Sequence, residues 1–181
     1  MTKREILAKI AKIEAQKGFH GHVMGLESNI QPIVDLFPKW SLEKWDNKWC
    51  AAFVYYCCMS AGYNFPMKYP DDSVTCNFAG CIAWEQWGTL SENNFYYSES
   101  VEYFTPEIGD IILYNRVFCE EPHDHIGIII ENQKDSFLVA EGNLNNVSGI
   151  IRRKRDEHIR GYIRIPNDYN YYSCNYRGSY E

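Results

Sequence analysis

A cysteine, a histidine and a nearby acid or amide on separate segments make up the minimal set for thiol-based acyl transfer. This sequence offers Cys50, His125, Glu141 and Asn143. Cys50 follows Asp46-Asn47-Lys48-Trp49 and opens an apolar run. That position places it in the first turn of a helix, where unpaired backbone N–H groups and the positive end of the helix dipole favour a thiolate. Cys57 and Cys58 lie two turns further in and are read as buried packing residues. The base that a cysteine nucleophile needs is most naturally an imidazole, whose ordinary pKa lies close to neutrality. His125 begins the run His125-Ile-Gly-Ile-Ile-Ile130, so a strand would aim it while Ile126, Ile128 and Ile130 face a core on the other side. Gly127 shares the histidine's face, leaving room there for the cysteine helix or a substrate backbone. His123 is the competing base, and His125 is preferred because it starts the apolar run.

An acceptor must hold the imidazole in one tautomer. Glu141 and Asn143 close the next strand, share one face of it, and are brought back beside His125 by a turn at Asn132-Asp135. Either residue suits. A carboxylate would also stabilise an imidazolium paired with a thiolate, so Glu141 is the first choice and Asn143 the second. The backbone N–H of Cys50 is the expected donor to an oxyanion, and Asn47 or Trp49 is the suggested second donor.

The elements that must position these groups read as helices first and strands second. Ile6, Leu7, Ile10 and Ile13 recur at helical spacing from Lys3 to Lys17. Residues 18 to 48 read as loop with short helical pieces. Trp49 to Ala61 is apolar on every side and closed by Gly62, the pattern of a helix buried all round. Residues 63 to 108 are rich in aromatics and turn formers and read as surface walls, with a helix around Ala79-Trp87. After Gly109 five short runs at period two follow: Asp110-Asn115, His125-Glu131, Phe137-Glu141, Ile150-Arg155 and Arg160-Ile165. The expected class is α+β, with the cysteine helix packed on a mostly antiparallel sheet of five to six strands. Residues 1–166 are read as one domain and 167–181 as a Tyr- and Asn-rich tail, loosely ordered.

Composition narrows the function. The 181 residues carry a formal net charge of -6, which argues against a nucleic-acid partner. The basic cluster Arg152-Arg153-Lys154-Arg155 is read as a solvated strand and turn. No apolar run approaches the roughly 20 residues of a bilayer span, so no membrane partner is expected. No secretory leader is recognisable, which points to a cytoplasmic location, or to release by lysis or a specialised export route. Seven cysteines without a CxxC pair suggest reduced thiols. The His20/His22 and His123/His125 pairs lack zinc spacing, and Asp71-Asp72 reads as a solvated turn rather than a calcium loop. No metal or cofactor is expected, and the oligomeric state is left open.

Five ordered blocks carry a family resemblance: Trp49 to Gly62, Pro106 to Tyr114, His125 to Ile129, Glu141-Gly-Asn143 and Gly161 to Ile165. Together they resemble the CHAP domains, the cysteine, histidine-dependent amidohydrolases/peptidases. The resemblance implies a papain-like fold and the cleavage of peptidoglycan. The bond would be either the amide between N-acetylmuramic acid and L-alanine or one within the stem peptide or cross-bridge. Its nucleophile, base, acidic and amide positions match Cys50, His125, Glu141 and Asn143. The stretch from Pro66 to Thr105 is longer and more aromatic than expected of the family. Trp84, Trp87 and Tyr96, with Trp49 and Asn47, are the candidates to line a substrate groove, with core or lid packing the default for at least half of the aromatics. The alternatives are a hydrolase or toxin acting on an intracellular protein, and a non-catalytic binding domain on the same fold.

Overall fold

In the computed structural model, which describes residues 1–23, 25–37, 41–66 and 71–171, Thr2 and Glu5 cap the first helix reciprocally. The Glu5 N–H donates to Thr2 Oγ1 at 3.2 Å, and the Thr2 N–H donates to the Glu5 carboxylate at 2.6 Å. Helix α1 (Lys3–Gln16) buries Leu7, Ala11 and Ala15, one residue per turn, and packs Ile6 and Ile10 beside them. Ile13, expected on that stripe, is exposed, because the small residues Ala11 and Ala15 bring the helix close on their own side. Two short helices follow, α2 (Gln31–Val34) and α3 (Leu42–Trp45).

Helix α4 (Cys50–Ser60) is the centre of the molecule. Cys50 through Tyr55, with Cys57 and Cys58, are all buried. The helix stops where Gly62 adopts a left-handed φ of 80° and the Tyr63 N–H turns back to the Cys58 carbonyl at 3.0 Å. Helix α5 (Cys81–Thr89) lies in the stretch read as walls. Phe65, Phe78, Trp84 and Trp87 there form an edge-to-face aromatic cluster rather than a surface. Tyr169 joins that cluster, and Asn167 accepts from the Arg4 N–H at 3.0 Å, so the tail is packed as far as it is described. Residues 172–181 lie outside the described residues.

The six strands are β1 (Tyr96–Ser98), β2 (Ile111–Tyr114), β3 (His125–Asn132), β4 (Ser136–Leu144), β5 (Val147–Lys154) and β6 (Ile159–Ile163). They form one sheet in the order β1-β6-β2-β3-β4-β5, with every pairing antiparallel. The α+β class and the helix-on-sheet packing agree with the sequence reading. Helices α1 and α4 cover one face over Ile111, Leu113, Ile126, Ile128 and Ala140. The other face carries a smaller cluster of Ile112, Tyr114, Ile129, Phe137, Val139 and Tyr162. No helix among the described residues is long and apolar enough to cross a membrane.

Two features of the sheet also differ from the sequence reading. Strand β1 falls inside the expected walls. Strand β5 begins three residues earlier than expected, because only Asn145 and Asn146 make the turn from β4. Both adopt positive φ, 50° and 66°, the backbone of a two-residue hairpin turn.

Candidate active site

Cys50 is the first residue of α4 and is 8% exposed. No side chain caps this helix, so the N–H groups of its first turn remain free to donate. The backbone N–H of Ala51 and the His125 imidazole both act on the sulfur, each favouring its anionic form. The Cys81 sulfur is 3.6 Å away, at the first turn of α5. These contacts bring the Cys50 thiol down to about 5. The Cys81 hydrogen bond contributes most, burial opposes it, and the His125 bond and charge add to the lowering. In the same helix Cys57 and Cys58 are pushed well above the ordinary thiol value by burial.

His125 opens β3 and is buried. Its Nε2 meets Glu141 Oε2 at 2.7 Å, which leaves Nδ1 for the thiol. Burial alone would lower its pKa. The Glu141 charge and the bonds to Cys50 and Glu141 overcome that and raise it to about 9. Glu141 is completely buried. Its burial would raise the carboxyl, but the His125 charge and a hydrogen-bonded fork from Arg153 hold it below its ordinary value. Arg153 Nε donates to Oε1 at 2.9 Å and Nη2 to Oε2 at 2.6 Å. A depressed thiol beside an elevated imidazole describes a thiolate–imidazolium pair, with the carboxylate and guanidinium balancing the remaining charge.

The glycines allow this approach, although not as the sequence suggested. A Cβ on Gly127 would lie 2.5 Å from Val139 Cγ1 and 2.7 Å from Glu141 Cγ. The gap therefore admits the acid, not the cysteine helix. The helix is received at Gly142, where a Cβ would lie 2.5 Å from Phe53 Cβ. Alternation does the rest: Glu141 points to His125 and its neighbour lets α4 sit down on the opposite face.

Asn143 does not meet His125. Its Nδ2 donates to the Asn47 carbonyl at 2.9 Å, tying β4 to the loop before Cys50, and its Oδ1 is buried without a partner among the described residues. The same loop is held by Asn146, whose Oδ1 accepts from Trp49 Nε1 at 2.7 Å and from the Asn47 N–H at 3.2 Å. The Trp49 indole is thus committed, whereas the exposed Asn47 lines a cleft of about 280 Å³ with Phe118, Asp124, His125 and Asn143.

The remaining groove candidates lie elsewhere. Trp84 and Trp87 are buried in the aromatic cluster, with Trp84 Nε1 bonded to the Phe78 carbonyl at 2.9 Å, so neither lines a groove. Large aromatic rings pack inside when enough neighbours are supplied, and Phe65, Phe78 and Tyr169 supply them. Tyr96 is half-buried and borders a different cleft with Glu85 and Arg160. Among the described residues no three His, Cys, Asp or Glu side chains are grouped to hold a metal ion. Asp71 Oδ1 accepts from the Ser73 and Val74 N–H groups.

Sequence reasoning missed Arg153 and Cys81. Arg153 was absorbed into a run read as solvated. The structure keeps Arg152 and Lys154 exposed, but turns Arg153 onto the face that Glu141 occupies. The period of two within the run was the available signal. For Cys81 there was none, since its contact with Cys50 spans 31 residues and is set by tertiary packing alone.

A family model described as the CHAP domain matches residues 42–143, from α3 to the end of β4. The match takes in Cys50, Cys81, His125, Glu141 and Asn143, and Arg153 lies beyond it. No curated protein and no solved structure matches the chain. With more than half of its length matched, the chain belongs to the CHAP domain family.

Proposed function

We propose that this CHAP-domain chain is a cysteine amidohydrolase or peptidase that cleaves an amide bond of peptidoglycan. The supporting observation is the continuous chain of contacts from the Cys50 sulfur through His125 to Glu141, buried and opening at the front of an uncapped helix. Family membership supports a hydrolytic reaction on a peptidoglycan-type substrate.

In this reading the Cys50 thiolate attacks the carbonyl carbon of the amide. The oxygen that becomes negative is met by the Cys50 backbone N–H, with the Asn47 side-chain amide as second donor from the cleft wall. His125, already protonated, gives its proton to the leaving nitrogen, and the C–N bond breaks to leave a thioester on Cys50. The neutral imidazole then removes a proton from water, which attacks the thioester. Collapse releases the acid and restores the thiolate–imidazolium pair. Glu141 holds the ring so that Nδ1 faces the sulfur, and Arg153 keeps Glu141 ionised.

The test is incubation of the purified protein with peptidoglycan of several peptide chemotypes, with mass spectrometry of the soluble fragments. The native protein should release fragments with one consistent new terminus, and Cys50→Ala should release none. Equal release by the alanine variant would overturn the reading. So would intact peptidoglycan alongside cleavage of a protein substrate.

A further inference from the structure

Amide hydrolysis needs one thiol, and this site has two. Cys50 opens α4 and Cys81 opens α5, so two helix N-termini converge with their sulfurs 3.6 Å apart. Neither α4 nor α5 has a side-chain cap competing for the N–H groups of its first turn; at Cys50 such groups favour the thiolate, while the hydrogen bond to the Cys50 sulfur and burial hold the Cys81 thiol well above its ordinary value. Cys81 is partly exposed and Cys50 nearly buried, so the pair is open to a small oxidant through Cys81. Closing the pair from 3.6 Å to the ~2.05 Å of a disulfide takes about 1.5 Å of movement.

We propose that Cys50 and Cys81 form a peroxide-responsive dithiol, in which Cys81 resolves an oxidised Cys50 into a reversible Cys50–Cys81 disulfide. The Cys50 thiolate attacks one oxygen of a hydroperoxide, the O–O bond breaks, and the departing oxygen leaves as the alcohol or water after taking a proton. Sulfur is oxidised by two electrons to a sulfenic acid and the peroxide is reduced by two. The Cys81 sulfur then gives up its proton and attacks the Cys50 sulfur. The S–O bond breaks, hydroxide leaves as water with that proton, and the S–S bond forms. An external dithiol returns two electrons and two protons and restores both thiols. While the bond exists Cys50 has no nucleophile to offer, and it is protected from irreversible oxidation to sulfinic acid.

The readout is chemical and does not depend on the hydrolase reading. The reduced full-length chain is treated with a small excess of hydrogen peroxide, alkylated, digested and mapped by mass spectrometry. The native protein should lose two alkylatable thiols, yield a Cys50–Cys81 linked peptide, and recover both thiols with dithiothreitol. Cys76, whose sulfur lies beside Gly80, is the nearest rival partner, and Cys76→Ser should leave the link intact. Cys81→Ser should convert Cys50 to a sulfenic acid trapped by dimedone, then to a sulfinic acid that dithiothreitol does not reverse. Sulfinic Cys50 in the native protein without the link would overturn the proposal, as would a Cys76–Cys81 link or unchanged thiols. The native map alone decides this if the serine variants fail to fold.

Discussion

The molecule builds the same ionic arrangement twice, around histidines two residues apart in its sequence. His125 Nε2 meets Glu141 at 2.7 Å while the Arg153 fork binds the same carboxylate. His123 Nε2 meets Glu85 at 2.8 Å while Arg160 binds that carboxylate through Nε and, at 2.7 Å, through Nη2. The difference lies in water and sulfur. The His125 and Glu141 side chains are 1% and 0% exposed, whereas those of His123 and Glu85 are 13% and 19% exposed. Of the two imidazoles, only the first has a thiol beside it among the described residues. The residue set His-Glu-Arg therefore does not define a catalytic site. Exclusion of water strengthens each charge on its neighbours, and a nucleophile gives that field something to act on.

Breaking the comparison at its sharpest point should give the largest effect. His125→Ala is expected to lower peptidoglycan hydrolysis by about 10²- to 10⁴-fold, the usual contribution of a positioned acid–base group. His123→Ala should stay within about threefold, and equal losses in a turbidity assay would erase the distinction between the two sites. Glu141→Gln leaves the Arg153 charge facing a neutral amide in a buried site, at a cost of about 3–5 kcal/mol. Glu85→Gln, in its wetter setting, should cost about 1 kcal/mol or less, and urea unfolding of both variants measures the contrast.

A pH profile sharpens the same point. Cys50 titrates at about 5 and His125 at about 9, so kcat/KM should be flat between these values. It should fall below about 5 as the thiolate is protonated, and above about 9 as the imidazolium is lost. Stability follows the same window. The His125 contribution, from a pKa raised above 6.5, is full below the ordinary value and lost as pH rises through about 9. The Cys50 contribution, from a pKa lowered from 9.0, is lost as pH falls through about 5. A profile centred on ordinary thiol and imidazole values would contradict the ion pair. The smallest effect is expected from the arginines. Arg153→Met should slow hydrolysis roughly tenfold and raise the acid limb by easing Glu141 toward protonation, while Arg160→Met should leave the rate within about twofold.

Much of this was legible in the sequence, and the reasons are specific. Helix α4 announces itself because an unbroken apolar run has only the centre of a domain to occupy. His125 and Glu141 could be paired because strands alternate and a short turn fixes how two of them meet. Asn143, on the same face, was inseparable from Glu141 until the left-handed φ of 62° at that residue turned its amide toward Asn47. Arg153 was hidden by its basic neighbours. Strand β1, three residues between Asn94 and Glu99, is too short to show a period and forms because β6 offers it an edge. Trp84 and Trp87 were misplaced because composition shows a wealth of aromatics, not which way they face.

The turn at Asn145–Asn146 has a consequence for how the protein comes into being. Asn146 clasps Trp49 across 97 positions and Asp46 across 100, and Glu141 and Arg153 are separated from Cys50 by comparable stretches of chain. A ribosome makes the cysteine before its companions. Contacts of such separation form only once both partners exist, so a growing chain carries Cys50 as an ordinary thiol until the strands bearing His125, Glu141 and Arg153 have followed. The buried cluster around the sulfur is assembled only after all of them have emerged.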